Sequence, residues 1–114
     1  MTTIYGIKNC DTMKKAFKWL DANNIEYVFH NYKKQDVDQN IINQAIQEHG
    51  WENVINRRGT TWRQLPDGVK ESMNDKNALT AAQDNPSIIK RPLLDHKNKT
   101  YLGFKEDLYK DIFK

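Results

Sequence analysis

The chain has 114 residues, of which 18 are lysine or arginine and 15 aspartate or glutamate, giving a formal net charge of +3 at neutral pH. That length suits one domain with a core of its own, and a single cysteine excludes an internally disulfide-stapled scaffold. No apolar run is long enough to span a bilayer, and Lys8, Asp11, Lys14 and Lys15 interrupt every candidate signal-peptide core, so a cytoplasmic protein in a reducing compartment is expected. Acidic residues lie among the basic ones, so the mild excess does not by itself imply nucleic acid.

Residues 3–7, TIYGI, are β-branched and aromatic and predict a short buried strand. From Asp11 the period changes: Met13, Ala16, Phe17 and Leu20 recur at helical spacing, with Lys14, Lys15 and Lys18 on other faces. Asn23 and Asn24 end that helix, since asparagine tolerates the left-handed turn. Residues 25–30, IEYVFH, read as a second strand, and strand–helix–strand within about thirty residues suggests a βαβ unit with parallel strands. A helical block follows over roughly 38–85, read as an insertion in one domain spanning 1–114. In it Asp38 is placed as an N-cap, Ile41, Ile42, Ala45 and Ile46 form a stripe, and Gly50 is the stop. Leu65, Val69 and Met73 are spaced to line a short helix, and Asp75 is placed as the cap of another that carries Ala78, Leu79 and Ala82 and ends before Pro86. The pattern then returns to strand in SIIKRPLL and KTYLGF, joined by the polar turn DHKNK as a hairpin. Leu108 and Ile112 mark a last amphipathic helix.

Cys10 falls where the first strand meets the first helix. A helix N-terminus carries unsatisfied N–H groups and partial positive charge, and both favour a thiolate over a thiol. Two readings of Cys10 therefore stand side by side: an activated nucleophile, or a small core residue of the kind free cysteines often are. Arg57, Arg58, Arg63 and Arg91 lie outside the apolar stripes and are available to anions. Pro92 interrupts a strand pattern, which is explained either by a cis bond after Arg91 or by an ordinary trans proline at a strand start. Lys8 and Asn9 precede the cysteine and are read either as anion contacts or as a solvated loop. His30, His49 and His96 make no metal-ligand spacing, and Trp19, Trp51 and Trp62 read as packing residues.

The segments YGIKNCDT at 5–12, RRGTTWR at 57–63, IIKRPLL at 88–94 and YLGF at 101–104 resemble, in this order, the arsenate reductase–Spx family, nearest to its YffB-type branch. The resemblance runs from about Thr3 to Phe113. It implies a thioredoxin-like α/β fold, βαβ…ββα with a mixed four-stranded sheet and a helical insertion. The family's nucleophilic cysteine matches Cys10, the arginine after its inserted helix matches Arg57 with Arg58 alongside, and its arginine and cis proline match Arg91 and Pro92. Arsenate reductases carry a third arginine near the last strand. Phe104 stands at that position with Lys105 next to it, and in a strand neighbouring side chains face opposite ways.

The function implied is a thiol-dependent oxidoreductase of the arsenate-reductase-like type, with arsenate itself expected to be a poor substrate. It would hold no bound cofactor or metal and would use glutathione as co-substrate, with a glutaredoxin-type protein as a further partner. The family's regulators carry a C-x-x-C redox switch; here Met13 fills the second cysteine position, so any oxidised Cys10 depends on an external thiol. The alternative is an Spx-like transcriptional regulator that binds RNA polymerase without a redox switch.

Overall fold

The computed structural model describes residues 2–114. The chain forms two compact units, residues 2–35 with 91–114, and residues 36–90.

The first unit is the thioredoxin-like part. Strand β1 (Thr2–Gly6) leads into helix α1 (Asp11–Ala22), which returns the chain to β2 (Val28–Asn31). β1 and β2 are parallel, with Ile4 opposite Phe29 and Gly6 opposite Asn31. After the second unit the chain re-enters as β3 (Leu93–His96) and β4 (Lys99–Leu102), and the C-terminal helix spans Glu106–Ile112. β3 runs antiparallel to β1 and β4 antiparallel to β3, so the sheet is mixed, in the order β2-β1-β3-β4. Ile4, Met13, Ala16, Leu20, Leu94 and Tyr109 are fully buried and form this unit's core, with Phe17, Trp19, Phe29 and Phe113 packed around them.

Local chemistry explains the joints. α1 ends in a Schellman motif: the Ile25 N–H donates to the Leu20 carbonyl, the Asn24 N–H donates to Asp21, and Asn24 itself is left-handed at φ 56°. The β3–β4 turn is two residues, Lys97 and Asn98, both at positive φ, the pairing that matches strand twist in a tight hairpin.

In the second unit α2 (Gln39–His49) starts where expected, the Asp38 carboxylate accepting from the N–H groups of Asn40 and Ile41, and it stops at Gly50, whose φ is 85°. Short helices follow at Trp51–Val54 (α3), Thr60–Arg63 (α4) and Asp67–Glu71 (α5), then α6 (Asp75–Asp84) and a 3₁₀ turn at Pro86–Ile88. Its core is Ile41, Ile42, Ala45, Ile46, Val54, Ile55, Ala78, Ala82, Ile88 and Ile89. The C-terminal helix at Glu106–Ile112 is α7.

The structure corrects several boundaries. The first strand lies one residue earlier than expected, and the second covers Val28–Asn31, since Ile25–Tyr27 are used to leave the Schellman turn. SIIKRPLL is not one strand. Pro86 opens a 3₁₀ turn, Ile89 makes an isolated bridge to Ile55, and the ladder begins only at Leu93. β4 stops at Leu102 because Gly103 turns the chain at φ 76°, so Phe104 and Lys105 are not strand residues; Lys105 is the N-cap of α7. The Leu65, Val69, Met73 spacing yields only the five-residue α5, which buries nothing, and Val69 is 41% exposed. Asn74, not Asp75, caps α6, its side-chain oxygen accepting from the Asn77 N–H.

That last correction is testable by denaturant unfolding. Asn74→Ala is expected to cost about 1 kcal/mol. Asp75→Ala removes only a first-turn charge from the helix dipole and should cost about half that or less. Equal or reversed losses would return the cap to Asp75.

Candidate active site

The first unit is assembled so that β1 delivers Cys10 to the start of α1. Cys10 is the N-cap residue, extended at φ −141° and ψ 129°, and its carbonyl accepts the first helical bond from the Lys14 N–H at 3.0 Å. The connection is short because helix and strand meet closely: a Cβ on Gly6 would stand 2.6 Å from the Met13 sulfur. Met13, fully buried, thus fills the space that glycine leaves. A side chain at position 6 would therefore have to displace the end of the Met13 side chain within the core.

Position gives Cys10 its electrostatics. Partial burial pushes the thiol pKa up, and this is the largest single influence. It is outweighed by the N–H groups of Met13 and Thr12, and then by the Arg91 guanidinium, which donates to the sulfur and adds its charge. The net result is a pKa below the ordinary cysteine value. The sulfur makes no capping hydrogen bond of standard geometry. The two N–H groups act on it as nearby dipoles, at the N2 and N3 positions where a serine or aspartate cap would be bonded.

Arg91 reaches the cysteine because β1 and β3 are antiparallel. Tyr5 pairs with Leu93, so the residues before β3 lie beside the turn that follows β1. Arg91–Pro92 is a cis peptide bond, as the resemblance implies. Pro92 is buried, and its carbonyl accepts from the Gly103 N–H at 2.9 Å. Lys8 and Asn9 are exposed in the turn before Cys10.

Phe104 is half-buried and packs edge-on against Tyr109 with ring centroids 4.7 Å apart, so it joins the core side of this unit. Arg57 and Arg58 belong to the second unit, where both are exposed and line a pocket with Asn53, Asn56 and Lys90. The Arg57 guanidinium lies over the Trp51 ring at 5.6 Å from its centroid. His30 is in β2, His49 in α2 and His96 in β3. The pattern of residues marks the helix terminus without singling out the Thr12 and Met13 amides. Counting two and three residues from an N-cap would have found both.

The state of the thiol is open to a rate measurement. Iodoacetamide alkylation of Cys10 against pH should inflect below the usual value of about 8.5, and Arg91→Ala should raise the inflection without restoring it fully, because the helix amides remain. The same shift enters stability. The folded thiol loses its proton at lower pH than the unfolded one, so its contribution is full above the ordinary thiol pKa and is lost as pH falls through the lowered one. Cys10→Ser should remove that rise in the melting temperature. A wild-type inflection at or above the ordinary value would refute the activation of the thiol.

Comparison with known proteins agrees with this architecture. An uncharacterized protein of Haemophilus influenzae is 45% identical over 113 residues, covering 99% of each chain. The solved structure of a YffB protein matches with a TM-score of 0.96 at 41% identity, covering the whole of both chains. An arsenate reductase (ArsC) related protein from Brucella melitensis matches at 43% identity and a TM-score of 0.76, over 99% of this chain and 94% of that one. The global transcriptional regulator Spx of Streptococcus agalactiae is 26% identical over 109 residues, which are 94% of this chain and 79% of the regulator. The family model described as "ArsC family" covers residues 5–112. Both the relatives and the thiol-bearing turn of a thioredoxin-like sheet lead to one assignment: the chain belongs to the ArsC family.

Proposed function

We propose that the protein is a glutathione-dependent thiol oxidoreductase of the arsenate-reductase-like type, with Cys10 as its single nucleophile. The observation that carries this reading is the Cys10 thiol, its pKa lowered by the first amides of α1 and by Arg91. The Cys10 thiolate attacks one sulfur of a substrate disulfide; a Cys10–sulfur bond forms, the substrate S–S bond breaks, and one substrate thiolate leaves. A glutathione thiolate attacks the Cys10 sulfur and expels the second substrate thiolate. A second glutathione thiolate, or that of a glutaredoxin-type protein, then attacks the glutathione sulfur and releases the Cys10 thiolate. Two electrons pass from two thiols to the substrate, and one disulfide of those thiols is the oxidised product.

In this scheme Arg91 holds the thiolate and receives an anionic group of the incoming thiol, and Arg57, with Arg58 beside it, supplies a second guanidinium fork for carboxylates. Pro92 shapes the chain beside Cys10 where a glutathione-like ligand would lie, and Lys8 and Asn9 flank the attack. Arsenate is a poor substrate in this scheme. Phe104 stands where arsenate reductases place a third arginine, and loss of one anion-stabilising donor typically costs about 10²–10³ in rate. No metal or resident cofactor enters the scheme, and the exchange takes place in the cytoplasm.

Mass spectrometry tests the covalent step. Oxidised glutathione should add one glutathionyl group to the wild type and none to Cys10→Ser, and reduced glutathione should remove it. An adduct that resists reduced glutathione and glutaredoxin, or no adduct at all, would end the oxidoreductase reading.

The second reading is a regulator of Spx type that binds RNA polymerase, favoured by the similarity to an Spx regulator over most of this chain. With buried Met13 at the second position of the C-x-x-C, it would act without a redox switch. A polymerase pull-down that succeeds equally with oxidised protein, reduced protein and Cys10→Ser, from a chain inert to glutathione, is the outcome that selects it.

A further inference from the structure

The sheet's outer edge carries a feature that the thiol chemistry does not use. β2 is the end strand of the order β2-β1-β3-β4, so only one of its edges is paired within the sheet. Tyr27 just before β2, and Phe29 and Asn31 within it, alternate onto the face that α1 covers, while Lys14, Phe17 and Asp21 form one stripe of α1 at helical spacing. The two rows do not close on each other. They leave a cleft of about 730 Å³, within the range of ligand-binding clefts.

The cleft has a floor and a charged rim. Phe17 is stacked on Tyr27 at 5.8 Å and meets Phe29 edge-on at 4.9 Å, giving an aromatic floor. Lys8, Lys14 and Lys34 stand at its rim, all three exposed. The opposing carboxylate is Asp21, which accepts from the Tyr27 hydroxyl. Three ammonium groups against one carboxylate make an anionic occupant complementary. The other face of the same strand points to the kind of occupant. Val28 is 52% exposed, one of two large hydrophobic side chains so exposed among the described residues. A small molecule in the cleft would leave Val28 bare, whereas a strand laid along β2 covers side chains on both faces. At about 3.3 Å per residue, β2 offers an edge of about 13 Å, the span of a short extended segment.

We propose that the cleft and edge of β2 form a docking site for an acidic, apolar segment of a partner protein, added to the sheet as a fifth strand. Backbone pairing supplies register, the aromatic floor takes alternate apolar side chains, and Lys8, Lys14 and Lys34 meet carboxylates. Of its three cations only Lys8 also stands beside the thiol, and docking needs no thiol exchange, so it is tested on the full-length Cys10→Ser chain, where failure of the oxidoreductase reading has no bearing.

The probe is a fluorescein-labelled, end-blocked octapeptide alternating glutamate with leucine, followed by anisotropy and amide NMR shifts. Saturable binding with Kd below about 100 μM is expected, with shifts confined to residues of the cleft and of β2. The double variant Lys14→Glu/Lys34→Glu, which touches only exposed groups, should weaken it about tenfold or more and gain affinity for the matching lysine–leucine peptide. N-methylation of alternate amides in the peptide should abolish binding with no change to the protein. Equal affinity of the unaltered chain for glutamate and lysine peptides, undiminished binding of the N-methylated peptide, shifts elsewhere, or no binding would each overturn the proposal.

Discussion

Everything at the candidate site follows from the double pairing of β1. Its parallel partner β2 requires a crossover helix, and its antiparallel partner β3 must enter the sheet at the end where β1 leaves it. The crossover sets a helix N-terminus at the exit of β1, which is where Cys10 sits. The antiparallel register, Tyr5 opposite Leu93, sets the residues just before β3 at the same place, which is where Arg91 and Pro92 sit. Residues 81 positions apart are thus brought together by strand geometry alone, with no dedicated loop to hold them.

That arrangement makes the thiol's environment a property of the backbone more than of side chains. Burial acts against the thiolate, and two main-chain amides act for it ahead of the arginine. Main-chain groups in a helix are already ordered, so they stabilise charge without the entropy cost of fixing a long side chain. Arg91 then adds a group that can serve both the sulfur and an incoming anion. By contrast, the aromatic cluster around Tyr109 (Trp19, Phe104 and Phe113) is committed to packing. The Tyr109 ring is fully buried, and that burial pushes its hydroxyl pKa far up, which removes it from acid–base chemistry.

How far the sequence carried depends on what each residue answers to. α1 and α2 were legible because periodicity, caps and stops agreed: Asp38, Gly50 and the Asn23–Asn24 pair act locally, and local chemistry decides them. The strand–helix position of Cys10 was legible for the same reason, and the cis bond at Pro92 through resemblance to the family. The SIIKRPLL run misled because Ile88 and Ile89 are apolar for a different partner. The Ile88 carbonyl accepts from the Asn56 N–H and the Lys90 N–H donates to the Val54 carbonyl, on either side of the Ile55–Ile89 bridge in the second unit, which no period within the run reveals. The strand pattern runs on through Phe104; Gly103, whose positive φ ends it, has no signal beyond being glycine. The cleft beside β2 escaped because it needs two periodicities, one from α1 and one from β2, to be superposed in space.

The contact between Gly6 and Met13 has a consequence for how such a chain can change. The two residues share one volume, so a change at either position bears on the packing of the other. A side chain at 6 would collide with the methionine, and a cysteine at 13, the substitution that would recreate a dithiol pair, would leave a hole beneath Gly6. A route to an internally resolved disulfide therefore crosses a valley of lowered stability unless both positions change together. The single-thiol state is held in place by packing as much as by chemistry.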